Sequence, residues 1–328
     1  NDLITFKAWD RTGSASNGAS GINTSIASHK GSIDLPGEVL GITLSADGNT
    51  AYVGANSSGL MIVDISDATD PTLIKSFGLG GQTGDSVLSS DNNTLYVTVH
   101  QSGGNSRLAI VDVSDTSSPI LVGTVNTPGQ ANDVILSADG NIAYVTDRQG
   151  GLQIMDISDP TDSTIIGNYD TPGYAHGIAL SPDGNTAYVP DHSEGLQIID
   201  VSNPSNPSLI YHHNTSGADN DIALSADGNT AYIVDHHEGL QIIDVSNPLN
   251  PSLIGSSGRL VTFSLALSPD ESNVYIAATR GQMHIYDVSN PASPSFVEAH
   301  SHSGNNNVYS VTLSADGYTA YLGHHNSY

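Results

Sequence analysis

The sequence predicts an all-β fold, a seven-bladed β-propeller built from four-stranded antiparallel blades. Two repeated motifs and a constant spacing predict it. The first motif marks the end of an inner strand and its turn, and its leucines follow one another at steps of 44, 48, 44, 44, 43 and 46 residues. A period of this size, made of short strands and turns, is typical of one propeller blade per repeat. The seven copies are LSADG 44–48, LSSDN 88–92, LSADG 136–140, LSPDG 180–184, LSADG 224–228, LSPDE 267–271 and LSADG 313–317.

The repeat at 173–216 shows how one blade is predicted from its residues. An apolar stretch at 178–180 predicts inner strand A, and the turn Asp183-Gly184-Asn185 follows, where glycine suits a positive φ. TAYVPD at 186–191 predicts strand B, and LQIIDVS at 196–202 predicts strand C. The prolines in NPSNP at 203–207 end that ladder, and SLIYHHNT at 208–215 predicts outer strand D.

The second motif, in strand C, indicates how the ring closes. It occurs six times, because the last repeat ends soon after its strand B. LITFKAWD at 3–10 and IASHKGSIDLPG at 26–37 predict the missing strands C and D. We therefore expect one domain, 1–328, whose seventh blade combines 308–328 with 3–36, and a Gly/Ser-rich insertion at 11–25. Such closure would hide two sheet edges. The copies are LMIVD 60–64, LAIVD 108–112, LQIMD 152–156, LQIID 196–200, LQIID 240–244 and MHIYD 283–287.

Composition excludes some classes of function. The chain has 34 acidic and 8 basic residues, a net charge of −26, which disfavours nucleic acid and anionic membranes as partners. It has no cysteine, so we expect no disulfide or thiolate chemistry. No stretch approaches 18 apolar residues, so no membrane span is predicted.

The strand C motif, followed by D-[IV]-S-[DN]-P, resembles that of the LVIVD-repeat proteins, a group of bacterial and archaeal propellers that are secreted or lie on the cell surface. The LSxDGxxAYV element is also similar to that of YVTN and lactonase-type propellers. The resemblance implies the architecture and a secreted or cell-surface location in a bacterium or archaeon. It implies no shared activity, so function has to be argued from a site.

In a propeller, the A–B and C–D turns lie on one face, and the D–A and B–C loops lie on the other, around the mouth of the central channel. The first face is monotonous here. We expect its recurring strand C aspartates to cap backbone N–H groups, with Ca²⁺ binding in some turns as the alternative. These aspartates are Asp64, Asp112, Asp156, Asp200, Asp244 and Asp287.

Positions on the second face differ between repeats, and four columns of equivalent residues are expected near the channel mouth. The first column after strand B is Ala55, Val99, Asp147, Asp191, Asp235, Ala278 and His324. The next column is Asn56, His100, Arg148, His192, His236, Thr279 and His325. At the start of strand A, one column is Gly41, Asp85, Asp133, Gly177, Asp221, Ser264 and Ser310. Its neighbour is Leu40, Gly84, Asn132, His176, Asn220, Phe263 and Tyr309.

Crowded carboxylates with adjacent imidazoles suggest a divalent metal, with Ca²⁺ favoured over Zn²⁺, Cu²⁺ or Mn²⁺, and no organic cofactor. The alternative is that the aspartates cap loops, the histidines are exposed, and duplication copied both. The near-identity of DHSEGLQIIDVSNP and DHHEGLQIIDVSNP favours duplication. The predicted ligands are Asp133, Asp147, Asp191, Asp221, Asp235, His176, His192 and His236.

These observations favour an extracellular or cell-surface propeller that is structural or engages a protein or glycan partner through the decorated face. Self-association stays open. The alternative is a metal-assisted lyase or hydrolase acting on a sugar, lactone or ester, with His176 or His192 as general base beside Asp191. Metal storage by the 13 histidines is a third hypothesis, and their scatter along the chain argues against it.

Overall fold

The structure, a computed structural model, describes residues 2–8, 28–101, 106–215, 217–301 and 307–324. The predicted insertion at 11–25, Trp9 and the last residues, 325–328, lie outside the described residues. Within the described ranges the regular elements are all strands. The same ranges contain no helix long and apolar enough to cross a membrane.

The strands form four-stranded antiparallel sheets, and six of these sheets use consecutive strands. The chain begins with β1 (Asp2–Ala8) and β2 (Ser28–Leu35). The first blade is β3 (Gly41–Leu44), β4 (Thr50–Gly54), β5 (Leu60–Asp64) and β6 (Thr72–Phe77). The second is β7 (Gln82–Leu88), β8 (Thr94–His100), β9 (Arg107–Asp112) and β10 (Ile120–Asn126). The third is β11 (Asp133–Leu136), β12 (Ile142–Thr146), β13 (Leu152–Asp156) and β14 (Thr164–Tyr169).

The second half of the chain continues the pattern. The fourth blade is β15 (Ala179–Leu180), β16 (Thr186–Pro190), β17 (Leu196–Asp200) and β18 (Ser208–His213). The fifth is β19 (Asp219–Leu224), β20 (Thr230–Asp235), β21 (Gly239–Asp244) and β22 (Ser252–Ser256). The sixth is β23 (Thr262–Leu267), β24 (Asn273–Ala278), β25 (Gln282–Asp287) and β26 (Ser295–Ser301), and β27 (Val308–Leu313) and β28 (Thr319–His324) follow.

The remaining sheet has the order β2-β1-β28-β27 and joins the two ends of the chain, with Ile4 opposite Gly323 and Ala8 opposite Thr319. Its inner strand β27 packs beside β3, which closes the ring. The prediction of seven blades is therefore corrected: six blades are repeats of consecutive strands, and the closing sheet is a composite. The composite sheet is not a seventh copy of the repeat, because its residues 2–8 and 28–35 lack the LxIVD motif of the other blades.

The apolar core lies between neighbouring sheets rather than within one. Between the fourth and fifth blades, for example, Tyr188 and Ile198 pack with Ile233 and Ile243, and all four are almost fully buried. The strand B tyrosines occupy the same place in each interface, with their rings buried against the next sheet. Burial of this kind makes each blade depend on its neighbours for stability.

The uniform face is formed by turns that satisfy their own hydrogen bonds. Asp200 Oδ1 accepts from the Ser202 amide at 2.9 Å and from the Ser202 hydroxyl at 2.6 Å. These bonds hold the pKa of the Asp200 carboxyl below its usual value. Asp64, Asp112, Asp156, Asp244 and Asp287 make the same pair of bonds. The prediction that these aspartates cap backbone N–H groups is confirmed.

Candidate binding site at the channel mouth

A cavity of about 450 Å³ lies at the channel mouth and is lined by residues of all seven sheets. Two of the predicted columns form its wall, because equivalent residues of equivalent inner strands reach the axis at the same height. We call them the mixed ring and the aspartate ring. The mixed ring is Leu40, Gly84, Asn132, His176, Asn220, Phe263 and Tyr309, and the aspartate ring is Asp85, Asp133, Gly177, Asp221, Ser264 and Ser310, with Gly41 just outside the lining.

Each carboxylate of the aspartate ring joins two blades. Asp221 accepts from the Ile222 amide at 2.8 Å and from the Leu265 amide of the next blade at 2.9 Å. Asp133 does the same with Val134 at 2.6 Å and Ile178 at 3.1 Å. Both bridges are possible because the next blade has Gly177 or Ser264, not an aspartate, at the equivalent position. The amide of the following residue, Ile178 or Leu265, is therefore not capped by an aspartate of its own blade.

Asp85 meets a different neighbour, because the next blade carries Asp133 at that position. The Val134 amide is taken by Asp133, and the Asp85 carboxyl hydrogen-bonds to the Asp133 carboxyl instead. Burial raises the pKa of Asp85 to about 6 and raises that of Asp133 well above its usual value. Because two buried carboxylates side by side repel one another, a proton shared by the pair is favoured, and it would lower the negative charge facing the cavity.

Asp147, Asp191 and Asp235, which were predicted near the top of the channel, do not line the cavity. All three side chains are fully buried behind the wall. Asp191 accepts from the Thr171 hydroxyl at 2.7 Å and from the Gly173 amide at 2.8 Å, so it fastens the D–A loop to strand B. Asp147 accepts from the Gly129 amide in the same way. Burial raises the pKa of both carboxyls to about 6.

Asp235 differs from these two because of Asp219, a residue that sequence reasoning missed. Asp219 stands where the two preceding repeats have Ala131 and Ala175, and a charged residue in an otherwise uncharged column was the available signal. Its carboxyl accepts from the Thr215 hydroxyl at 2.6 Å and lies in hydrogen-bonding contact with Asp235. Asp235 turns to cap the amides of His237 at 2.6 Å and Glu238 at 2.9 Å.

Imidazole and aromatic rings form an arc beside the cavity. The His192 ring lies 5.3 Å from that of His176, and the His236 ring lies 5.7 Å from that of Phe263. Phe263 in turn lies 4.6 Å from Tyr309. Burial lowers the pKa of His176 to about 4, and it also lowers that of His192. At neutral pH both imidazoles are uncharged, and each can donate one hydrogen bond and accept another.

Arg148 is the only lysine or arginine among the described residues that line the cavity. Its Nε donates to Asn132 Oδ1 and its Nη1 to Gln130 Oε1, both at 3.2 Å. Burial lowers the pKa of its guanidinium. The mouth is therefore a concave polar site with one cation, neutral imidazoles and an aromatic surface.

The predicted metal ligands fall into three places. Asp133, Asp221 and His176 line the cavity, Asp147, Asp191 and Asp235 are buried behind it, and His192 and His236 belong to the ring arc. Within the ranges that the structure describes, no group of three or more His, Asp or Glu side chains is placed to hold a metal ion. His325 lies outside those ranges.

The residues named for catalysis are not arranged as a catalytic set. His176 Nδ1 lies 3.2 Å from Asn220 Oδ1, whereas the carboxyl of Asp191 is occupied by Thr171 and Gly173. No hydrogen bond among the described residues joins Asp191 to either histidine.

Comparisons with known proteins agree with the architecture. Solved structures with this fold include a functionally unknown protein from Desulfotomaculum acetoxidans (17% identity, TM-score 0.67, 82% of this chain and 87% of that chain). A protein from Lactobacillus plantarum (15%, 0.74, 93% and 97%) and hydrazine synthase from Kuenenia stuttgartiensis (18%, 0.69, 92% and 96%) are also similar. At these identities the likeness shows the fold alone. No curated protein matches the chain.

The model of the LVIVD repeat matches six segments, and each falls on one blade of consecutive strands. None falls on the composite sheet, which agrees with the corrected count of six sequence repeats. The segments are 37–78, 93–127, 128–171, 172–215, 216–257 and 270–301. Because they span more than half of its length, the chain belongs to the LVIVD-repeat family.

Proposed function

We propose that this protein is a non-catalytic binding propeller that takes a carbohydrate ligand at the channel mouth. The observation that carries the proposal is the arc of rings beside the cavity, above all Phe263 against Tyr309 at 4.6 Å. The C–H groups of a sugar ring can pack on such an aromatic face. Its hydroxyls can pair with the imidazoles and amides around it, which both donate and accept hydrogen bonds.

The shape of the site favours a small ligand over a protein surface. A cavity of about 450 Å³ is within the range of small-molecule sites, roughly 300–1,000 Å³. A protein partner would need a larger and flatter contact area, of about 800 Å² on each side. The glycan is therefore the occupant that the cavity supports better.

A secreted or cell-surface location is part of the proposal. It is supported by what the resemblance to the LVIVD-repeat proteins implies and by the net charge of −26, which suits a salt-rich medium. A metal-assisted lyase or hydrolase is less well supported, because the described acidic and imidazole groups are dispersed and Asp191 is hydrogen-bonded within its own loop.

The test is a titration of the protein with a panel of neutral and acidic oligosaccharides, followed by calorimetry. We expect saturable binding of at least one member and its loss in Phe263→Ala. The matched control is Phe296→Ala, since Phe296 lies on outer strand β26 and is 55% exposed. A panel without any binder, or binding that survives Phe263→Ala, would contradict the proposal. Capture of a protein partner that is insensitive to Phe263→Ala would favour the other class of partner.

A further inference from the structure

Arg148 is held in a fixed backbone position at the edge of the cavity. It has φ 41°, in the left-handed region that non-glycine residues rarely adopt. Two backbone hydrogen bonds of 3.2 Å, one in each direction, join it to Ala175 of the next blade. A strained residue persists where the surroundings determine its position, and such residues concentrate at ligand sites.

The guanidinium is oriented by neutral groups. Its two described partners are the amide oxygens of Asn132 and Gln130, and Asn132 is itself anchored by donating to the His176 carbonyl at 3.1 Å. Within the described part of the chain no carboxylate forms an ion pair with Arg148. Arg259 shows the contrast, because it is exposed and pairs with Glu238 at 3.8 Å.

A half-buried cation whose side-chain partners are only amides is costly, and an added anion would offset that cost. This arrangement is unexpected in a chain with 34 acidic residues. The sequence of the B–C loop also distinguishes this repeat from the next two. The next two repeats have Asp-His-x-Glu-Gly, with Glu194 and Glu238, whereas this repeat has Asp147-Arg148-Gln149-Gly150-Gly151. The repeat that carries the arginine thus has glycine where its neighbours carry a glutamate.

We infer that the ligand of the channel mouth carries a carboxylate and that Arg148 binds it, which makes the ligand class an acidic saccharide such as a uronate. The inference rests on the proposed function and deepens it. A guanidinium presents paired N–H donors whose spacing matches the two oxygens of a carboxylate. The amides of Asn132 and Gln130 leave the outer edge of the fork for that pairing.

The other groups of the cavity suit an anionic ligand. Desolvation and the charge of Arg148 both lower the pKa of His100 and His176, so these imidazoles are neutral donors at pH 7. The proton shared by Asp85 and Asp133 removes one negative charge from the wall that faces the ligand. Both effects reduce the repulsion that a net-negative protein would otherwise exert on a uronate.

The experiment compares glucuronate-containing oligosaccharides with neutral glucose oligosaccharides of equal length, by calorimetry at several NaCl concentrations. A charged hydrogen bond of this kind contributes about a 10- to 100-fold preference for the acidic ligand. Arg148→Gln should abolish the preference by weakening binding of the acidic ligand more than that of the neutral one, and Arg148→Lys should restore part of it. Arg280→Gln is the matched control, because Arg280 also has a positive φ in a B–C loop but is exposed.

Two results would overturn the inference separately from the proposed function: equal binding of acidic and neutral ligands, or a preference that Arg148→Gln leaves intact. Absence of any saccharide binding would overturn both. The thermal unfolding of Arg148→Gln is measured in parallel, and a midpoint equal to that of the wild type shows that the variant has folded.

Discussion

Asp219 and Asp235 face each other across the paired strands β19 and β20, with their two carboxyls in hydrogen-bonding contact. Both side chains are fully buried. Asp219 Oδ1 and Asp235 Oδ2 are buried without a hydrogen-bond partner among the described residues, and a proton placed between the two carboxyls would satisfy both. Burial, followed by the neighbouring Asp235 charge, raises the pKa of Asp219 to about 8.

The first prediction concerns stability against pH. The pKa of Asp219 is higher in the folded state than its ordinary value of 3.8, so the folded state alone holds this proton between about pH 4 and pH 8. Stability should therefore fall as pH rises through that window, by about 1.4 kcal/mol per pH unit for one such proton. Asp219→Asn removes the proton. The free energy of unfolding, measured with urea from pH 5 to pH 8, should therefore decrease less steeply with pH in this variant than in the wild type.

Other groups also contribute to the pH dependence of the wild-type stability, so the informative quantity is the difference in unfolding free energy between the two proteins. Stability also falls with rising pH because of four other aspartates whose pKa is raised to about 6, namely Asp85, Asp147, Asp191 and Asp221. His176, with its pKa lowered to about 4, adds loss as pH falls from 6.5. Asp227→Asn is the control, because Asp227 is an exposed turn residue whose pKa is lowered. Parallel slopes for Asp219→Asn and the wild type would contradict the shared proton.

The second prediction separates the two faces of the ring. Asp200→Ala removes the acceptor for the Ser202 amide and hydroxyl, so it should destabilise the fold by about 1 kcal/mol. Saccharide binding should be unchanged, because the turn lies on the face opposite the cavity. Asp200→Asn keeps an acceptor and should lose less. An effect of Asp200→Ala on the ligand affinity, measured by calorimetry, would disprove the division into a structural and a binding face.

The third prediction tests how closely the first two blades approach near the axis. A Cβ at Gly54, at the end of β4, would collide with the carbonyl oxygen of Gly84 in the next blade. Gly54→Ala should therefore cost about 1–3 kcal/mol of unfolding free energy. Gly78→Ala is the matched control, since a Cβ there meets nothing within 4 Å. Equal midpoints of urea unfolding for the two variants would show that the blades can move apart freely.

The repeat itself is why much of the site could be predicted from the sequence. Aligning the repeats placed His176 and Tyr309 in one inner-strand column and Asp133 in the next, and the structure brings all three to one cavity. The alignment did not indicate that the Asp191 side chain would be buried. The side chain points into the wall because Thr171 and Gly173 provide donors there, and these belong to a loop that the columns did not include.

The carboxyl pairs could not be predicted from columns considered one at a time. The contact of Asp85 with Asp133 depends on two successive blades carrying an aspartate at the same position. The contact of Asp219 with Asp235 depends on two different columns meeting across a strand pair. Arg148 was in the alignment, but only the neutral partners of its guanidinium indicate an anionic ligand.

The fourth prediction concerns divalent metal ions, which the crowded aspartates first suggested. The inner carboxylates already accept hydrogen bonds from backbone amides, and the described residues provide no cluster of three ligands. Ca²⁺, Zn²⁺ or Mn²⁺ at millimolar concentration should therefore raise the midpoint of thermal unfolding no more than NaCl of equal ionic strength does. The net charge of −26 makes that salt control essential, because screening alone stabilises such a surface. A saturable increase with one metal, lost in Asp133→Asn but retained in Asp227→Asn, would instead show that the aspartate ring holds a cation.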